Sequence, residues 1–368
     1  MPLKKILPVV CVLILLASCA PQTAIAPTAS TNPSQPTATF IPKPTGNGLW
    51  ISPAAPDVLR AAAKNSGSVP AADSSSAAAI LDVSSSANAP SSNWIYALVA
   101  PFPTVADGVT LNDLKSAWGG SSSGPFSGRP LWMAASTLAA FTAIWGAPAD
   151  GSVKVAPADE LLDDAWKDLP SWAIIPFESL DPKWKVLTVD GQSPIHKDFD
   201  ATKYPLQINF ALQGDSSFTL PSSNRDASKL TTVIMTGTTS LVNGIAYQME
   251  VKGIDYPARD IGDILRQADI LHVSNKTSFA LTCPPPNPNT RWPRCSDPKY
   301  IQLLVDVGVK VIELTGPHIL DDGVNPFLYT LDLYKKNNMQ YYGGGANLAE
   351  ASKPLLIENH GNKIAFIG

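Results

Sequence analysis

The chain has 368 residues, 45% hydrophobic and 16% charged, with a formal net charge of −4. That length suggests two domains or so, with enough apolar content for sizeable cores. The slightly acidic balance gives no basic footprint for phosphate backbones, which excludes nucleic acid as a partner.

The first 18 residues form a distinct segment. Lys4 and Lys5 precede an apolar run from Ile6 to Leu16, and Ala17-Ser18-Cys19 follow. A positive start, a short apolar core and small residues before the cut describe an export signal, too short for a membrane span. Because the small residues end on Cys19, the segment resembles a bacterial lipoprotein signal. The resemblance implies an exported protein, lipidated at Cys19 and anchored to the bacterial cell membrane or envelope. An ordinary signal peptide with an incidental cysteine is the alternative. Residues 19–48 are rich in Pro, Thr, Ala and Ser, with Lys43 as their only charge. Such a segment cannot bury a core and is expected to act as a tether.

A globular pattern begins at Leu49. Strands are expected at 49–52, 79–83, 94–100, 131–135, 153–155, 172–176 and 186–189. Helices are expected from 58 onward and at 111–118, 136–145 and 158–166, with Asp57 and either Thr110 or Asn112 as caps. Short apolar strands alternating with helices predict an α/β, mainly parallel, doubly wound sheet over 49–213 with both faces covered. Pro101-Phe-Pro-Thr-Val105, Trp172-Ala-Ile-Ile-Pro-Phe-Glu178, Trp184-Lys-Val-Leu187 and Tyr204-Pro-Leu206 together resemble the periplasmic solute-binding-protein architecture. In that fold two α/β lobes close on a ligand at strand ends. The resemblance implies an anionic or polar ligand held by hydroxyls and helix N-termini, with Ser52, Ser136 and Thr137 as candidates. Ordinary helix caps account for those residues equally well. Residues 214–229 are polar and turn-rich and read as a linker.

Beyond residue 230, strands are expected at 230–235, 270–275, 310–314, 354–358 and 363–367, and helices at 243–252, 298–307 and 325–337. Cys283 and Cys295 close a Pro-rich loop. In an exported protein that pair reads as a disulfide, since it lacks the close CxxC spacing of zinc sites. The run Val311-Ile-Glu-Leu-Thr-Gly-Pro-His-Ile-Leu-Asp-Asp-Gly323 places His318 and Asp321 just after a strand. A strand end that delivers an imidazole and a carboxylate to one crevice suits a ligand site. A simple strand-to-helix loop, with Asp321 as cap, is the competing account.

Four phrases decide how residues 230–368 are read. They are Val233-Ile-Met-Thr-Gly-Thr-Thr239, Ala268-Asp-Ile-Leu-His-Val-Ser-Asn275, Glu313-Leu-Thr-Gly-Pro-His-Ile-Leu-Asp-Asp-Gly323 and Tyr342-Gly-Gly-Gly-Ala-Asn-Leu348. In this order they resemble the CapA family of capsule, or poly-γ-glutamate, synthesis proteins, with a calcineurin-like metallophosphoesterase fold. The resemblance implies a divalent metal (Mn, Mg, Zn or Ca) held by acid, amide and imidazole ligands on successive strand ends. Asn275, His318 and Asp321 match, His318 and Asp321 also being the candidate catalytic pair, and Thr238 is a weak further ligand. The pattern is broken where the family has Asp at Thr238, Glu at Lys276 and Asn at Pro317. An ammonium at Lys276 repels a cation that a carboxylate would bind. The sequence ends on what reads as a mid-sheet strand, so the C-terminal domain is expected to be incomplete.

The leading expectation is a cell-envelope lipoprotein, with a solute-binding-like domain followed by a CapA-type domain whose metal site is degraded and does not catalyse. It would handle an anionic polymer or small anion together with other capsule or polymer-synthesis proteins. A metal-dependent hydrolase of an envelope polymer or phosphoester is the first alternative, and an anion- or solute-binding lipoprotein the second.

Overall fold

The computed structural model describes residues 48–84, 91–289 and 295–368. The expected signal, Cys19 and the tether up to residue 47 lie outside those residues. Among the described residues no helix is long and apolar enough to cross a membrane.

The first domain runs β1 (Leu49–Ile51), α1 (Asp57–Asn65), β2 (Ala79–Val83), β3 (Ser91–Pro101), β4 (Gly108–Val109), α2 (Leu111–Trp118), β5 (Leu131–Met133) and α3 (Ala135–Trp145). It continues through β6 (Val153–Val155), α4 (Leu161–Lys167), β7 (Trp172–Pro176), β8 (Trp184–Val186), β9 (Thr188–Val189) and β10 (Gln207–Gly214). Local chemistry explains the clearest boundaries. Thr110 caps α2 through a reciprocal capping box with Asp113. Asp57 and Lys64 sit at the ends of α1 where their charges complement the helix dipole.

The large sheet has the order β1-β2-β10-β3-β7-β5-β6, with β8 also pairing with β3. Its middle is antiparallel: β10 runs against both β2 and β3, and β3 against β7 and β8. Only β1–β2, β5–β7 and β5–β6 are parallel. The expectation of a mainly parallel sheet is therefore corrected to a mixed one. Two reversals cause this: β10 returns between β2 and β3 after a long excursion, and β3 runs against β7 and β8. Both faces of the sheet are covered. Along β3, Tyr96, Leu98 and Ala100 face a core shared with Leu59, Leu114 and Phe141 from α1, α2 and α3. Ala97 and Val99 face the opposite core with Leu161 and Ala165 of α4 and Trp184.

The turn-rich segment after β10 packs against this sheet. Phe218 is buried, and Ser222 accepts a hydrogen bond from the Asn93 amide at 2.9 Å. Asn224 imitates a backbone partner, accepting from the Ile95 amide at 2.7 Å and donating to the Ile95 carbonyl at 2.8 Å. The same amide donates to Glu178, whose other oxygen accepts from the Trp94 indole.

The second domain comprises β11 (Val233–Thr239), α5 (Asn243–Lys252), α6 (Gly262–Arg266), β12 (Ile270–Asn275), α7 (Ile301–Asp306), β13 (Val309–Glu313), α8 (Val324–Lys336) and β14 (Gln340–Tyr342). The short α9 (Leu348–Ala351) and a hairpin of β15 (Leu355–Asn359) and β16 (Asn362–Phe366) follow. Strands β11 to β14 form an all-parallel sheet in sequence order. Period two divides its side chains. Leu271, Val273 and Ile312 face α5, α7 and α8, whereas Ile270, Val311 and Tyr342 face the hairpin through Phe366. Cys283 and Cys295 are disulfide-bonded, with Cα atoms 5.7 Å apart.

A polar contact joins the two domains, and others hold the chain just before β11. Lys197 pairs with Asp269 at 2.6 Å, and at the hairpin turn His360 Nδ1 lies 2.6 Å from the Leu230 carbonyl. Asn362 donates to the Lys229 carbonyl at 2.8 Å.

Glu178 supplies a pH-dependent test of this packing. Burial raises its pKa, and the Asn224 and Trp94 hydrogen bonds only partly offset that. Below the ordinary value of 4.5 both folded and unfolded chains hold the proton, so the group contributes nothing. As pH climbs toward the raised folded value, the unfolded chain ionises first and folding is increasingly disfavoured. Urea unfolding of wild type and Glu178→Gln should diverge in the variant's favour across that rise, whatever constant offset the substitution introduces.

Candidate functional site

Parallel strands deliver their C-terminal ends to one edge of the sheet, and the crevice at residues 275–321 is built there. From β13 the chain passes Leu314, Thr315, Gly316 and Pro317 to reach His318. A bridge pairs Thr277 with His318, laying the loop after β12 beside the loop after β13. Gly316 permits this approach: a Cβ there would stand 2.8 Å from the Lys276 Cα and 3.1 Å from the Asn275 carbonyl oxygen. A turn follows, with the Asp321 amide donating to the His318 carbonyl and the Gly323 amide to that of Leu320. It brings His318 Nδ1 and Asp321 Oδ2 to 2.8 Å, both side chains being partly exposed. Ser278 holds the base of the turn by donating to the Ile319 carbonyl.

The other two expected ligands are committed differently. Asn275 is buried, and its amide donates to the Thr277 carbonyl at 2.7 Å and to the Tyr334 hydroxyl at 2.5 Å. Tyr334, on α8, is itself fully buried, and desolvation drives its phenol pKa upward. The Asn275 side chain thus ties the crevice loop to the helix layer. Thr238 lies exposed at the end of β11 and lines a pocket whose other walls include Ile245, Ile261, Val273 and Leu303. Among the described residues no three His, Cys, Asp or Glu side chains converge as a metal set. A hard or borderline divalent ion needs several oxygen or imidazole donors aimed at one point. The His318–Asp321 pair, with Asn275 directed into the core and Thr238 on an apolar pocket, does not fit that requirement.

Residues outside the expected set form a neighbouring polar cluster on the hairpin face of the sheet. Glu313 accepts from the Ser274 hydroxyl across β12 and β13, and from the amide and hydroxyl of Thr315. His272 Nε2 lies 2.9 Å from the Tyr342 hydroxyl, and its ring stacks on Phe366 with centroids 5.8 Å apart. Burial lowers the His272 pKa, against the pull of the Glu313 charge. Strand alternation carried the signal for this cluster, because His272 and Ser274 share a face with Ile270, and Glu313 shares one with Val311.

In the first domain, Ser52 is buried and accepts from the Ala54 amide at 3.2 Å, shaping the loop between β1 and α1. Arg60 holds the same loop by donating to the carbonyls of Ser52, Pro53 and Ala55. Ser136 opens onto a crevice of about 630 Å³ together with Asp57, Arg60 and Pro53. Thr137, one residue along α3, is only 1% exposed and lines a cavity of about 200 Å³ with Ser179 and Asp181. Its hydroxyl has no hydrogen-bond partner among the described residues. Ser136 and Thr137 therefore face adjoining spaces, while Ser52 serves its own loop.

Comparison with known proteins bears on the second domain. Residues 232–368 match the family model of the bacterial capsule synthesis protein PGA_cap. No curated protein matches the chain. Among solved structures, an ABC-type phosphate transport receptor from Vibrio cholerae is 12% identical with a TM-score of 0.38, covering 46% of this chain and 87% of that one. A phosphate ABC transporter substrate-binding protein with bound phosphate, from Clostridium perfringens, is 12% identical with a TM-score of 0.32, covering 48% and 88% respectively.

The PGA_cap-type region gives a direct test of the crevice. Gly316→Ala would push a methyl group into the backbone at Asn275 and Lys276, which cannot recede as a flexible side chain would. A loss of about 1–3 kcal/mol in unfolding free energy is expected from that overpacking, read by urea denaturation.

Proposed function

We propose that this is an exported, lipid-anchored envelope protein acting in the handling of a capsule or poly-γ-glutamate-type polymer. On this reading its PGA_cap-type domain, of metallophosphoesterase-like fold, binds or scaffolds and does not hydrolyse. The family match supplies the polymer context, and the Cys19 signal supplies the anchor. The observation that carries the non-catalytic reading is the disposition of the crevice donors. His318 and Asp321 pair with each other, Asn275 is bonded to Tyr334, and Thr238 opens onto apolar walls. Lys276, immediately after Asn275, adds a cation where a metal would need a carboxylate. A hydrolase using His318 and Asp321 on a metal would require these groups to converge.

Elemental analysis of the purified protein after dialysis tests this reading. Mn, Zn, Mg and Ca should each be present below about a tenth of an equivalent, as expected where no donor set is assembled. One equivalent of any of these metals, lost on His318→Ala, would overturn it and restore the hydrolase.

A second reading concerns the first domain, which we propose to be a solute-binding-like module for a small polar or anionic solute. It is supported by the unpartnered, buried hydroxyl of Thr137 in the first turn of α3 and by Ser136 in the adjoining crevice. A solute present at about 100 times its Kd adds about 2.7 kcal/mol of stability. Thermal-shift screening with phosphate, amino acids and oligoglutamate should therefore give a clear rise with one of them, abolished in Thr137→Val. No rise with any of them would remove this reading.

A further inference from the structure

The pocket onto which Thr238 opens has a composition unlike the crevice beside it. It encloses about 370 Å³ between the C-terminal end of β11 and the layer formed by α5, α6 and α7. Its deep walls are apolar, with Val273 from the sheet and Leu303, Leu304 and Val307 from α7 and the residue that follows it. These four belong to, or lie beside, the core of the second domain, so the floor is rigid. One end is different: Thr236, Thr238, Thr239 and Ser240 follow one another along β11 and its exit, giving four hydroxyl-bearing residues. No lining residue carries a charge. Around the mouth, Ile245 and Ile261 are each 48% exposed. Apolar side chains left in water at the rim of a concave apolar space mark a binding surface rather than scattered surface residues.

Size and chemistry together select the occupant. The volume falls within the roughly 300–1,000 Å³ typical of small-molecule sites, which are mostly apolar with a few placed polar groups. An ionised head group would be desolvated here without an opposite charge, so carboxylates, phosphates and amines are disfavoured. A hydroxyl or amide head could exchange hydrogen bonds with the threonine end while its chain fills the apolar floor.

We infer that the pocket beneath β11 binds an uncharged amphiphile, a single alkyl or acyl chain ending in a neutral hydrogen-bonding head. Thr238 then lies at the head-group end of a lipid-like site. An Asp at that position would place an unpaired carboxylate against the apolar walls, so the replacement that dismantles a metal crevice also suits the pocket beside it. The inference stands independently of polymer handling, since it uses only the lining of this pocket.

The test uses the full chain and N-phenyl-1-naphthylamine, a neutral apolar dye that brightens on leaving water. Wild-type protein should brighten the dye saturably, and 1-dodecanol should displace it at concentrations at least about tenfold lower than dodecanoate, a discrimination of about 1.4 kcal/mol or more. Ile261→Glu, at a half-exposed position on the rim, should weaken dye binding about tenfold or more. Ala258→Leu, which fills the space from one wall, should do the same, and circular dichroism would confirm that both variants fold. Leu356→Ser, at a 72% exposed apolar position on the distant hairpin, should leave dye binding unchanged. Dye binding indifferent to both Ile261→Glu and Ala258→Leu would overturn the site. Displacement by dodecanoate as effective as by dodecanol would overturn the neutral head group.

Discussion

Parallel pairing is the constraint on which the second domain depends. Strands that all run the same way need crossovers, and each crossover returns the chain so that every strand exits at the same edge. The ends of β11, β12, β13 and β14 are thus gathered along one line, whatever residues they carry. Thr238, Asn275, the Thr315–His318 turn and Gly343 are neighbours for that reason alone. Gly316 then sets how close two of those exits can come, because its missing Cβ lets one loop rest on the backbone of the next. What each exit contributes to the crevice depends on the direction in which it sends its side chain.

Much of the element order was legible in local pattern. The strand at 79–83, the helices at 111–118 and 243–252 and the strand at 270–275 have the observed bounds, the first of those helices being fixed by its Thr110 capping box. Boundaries drifted where those signals separate. The strand expected at 230–235 is β11 at Val233–Thr239, since Leu230 and Thr231 are held by the hairpin turn instead of by a ladder. The mixed character of the first sheet was not legible at all. Gln207-Ile-Asn-Phe-Ala-Leu-Gln-Gly214 alternates well enough for a strand, but its insertion between β2 and β3 is a non-local pairing across more than a hundred residues. Nothing in the sequence near residue 210 says that Phe210 will lie opposite Val83 on one side and Ser92 on the other.

The crevice shows a similar division. The contact between His318 and Asp321 was readable, because they follow an apolar strand at a spacing that one turn of chain can close. The roles of Asn275 and Thr238 were not, because a residue type does not state which way its side chain will point. Asn275 sits at a strand end, yet its amide meets Tyr334, which α8 brings from 59 residues away. Glu313, Ser274 and His272 lay in plain view as polar interruptions of apolar strands. They gain significance only when the hairpin covers their face and Phe366 closes over the imidazole.

This arrangement also shows how the charged groups at the crevice are held by neighbouring side chains. A cluster of carboxylates on adjacent strand ends repels itself and needs a cation to be held together. Here Asp321 is bonded to His318, and Glu313 accepts from the hydroxyls of Ser274 and Thr315. Asn275 completes the inner wall by bonding to a buried phenol. On the non-catalytic reading proposed above, each residue that stands where the family has an acidic ligand removes a charge that would otherwise need compensation. On that reading β11 can end in hydroxyls above an apolar pocket.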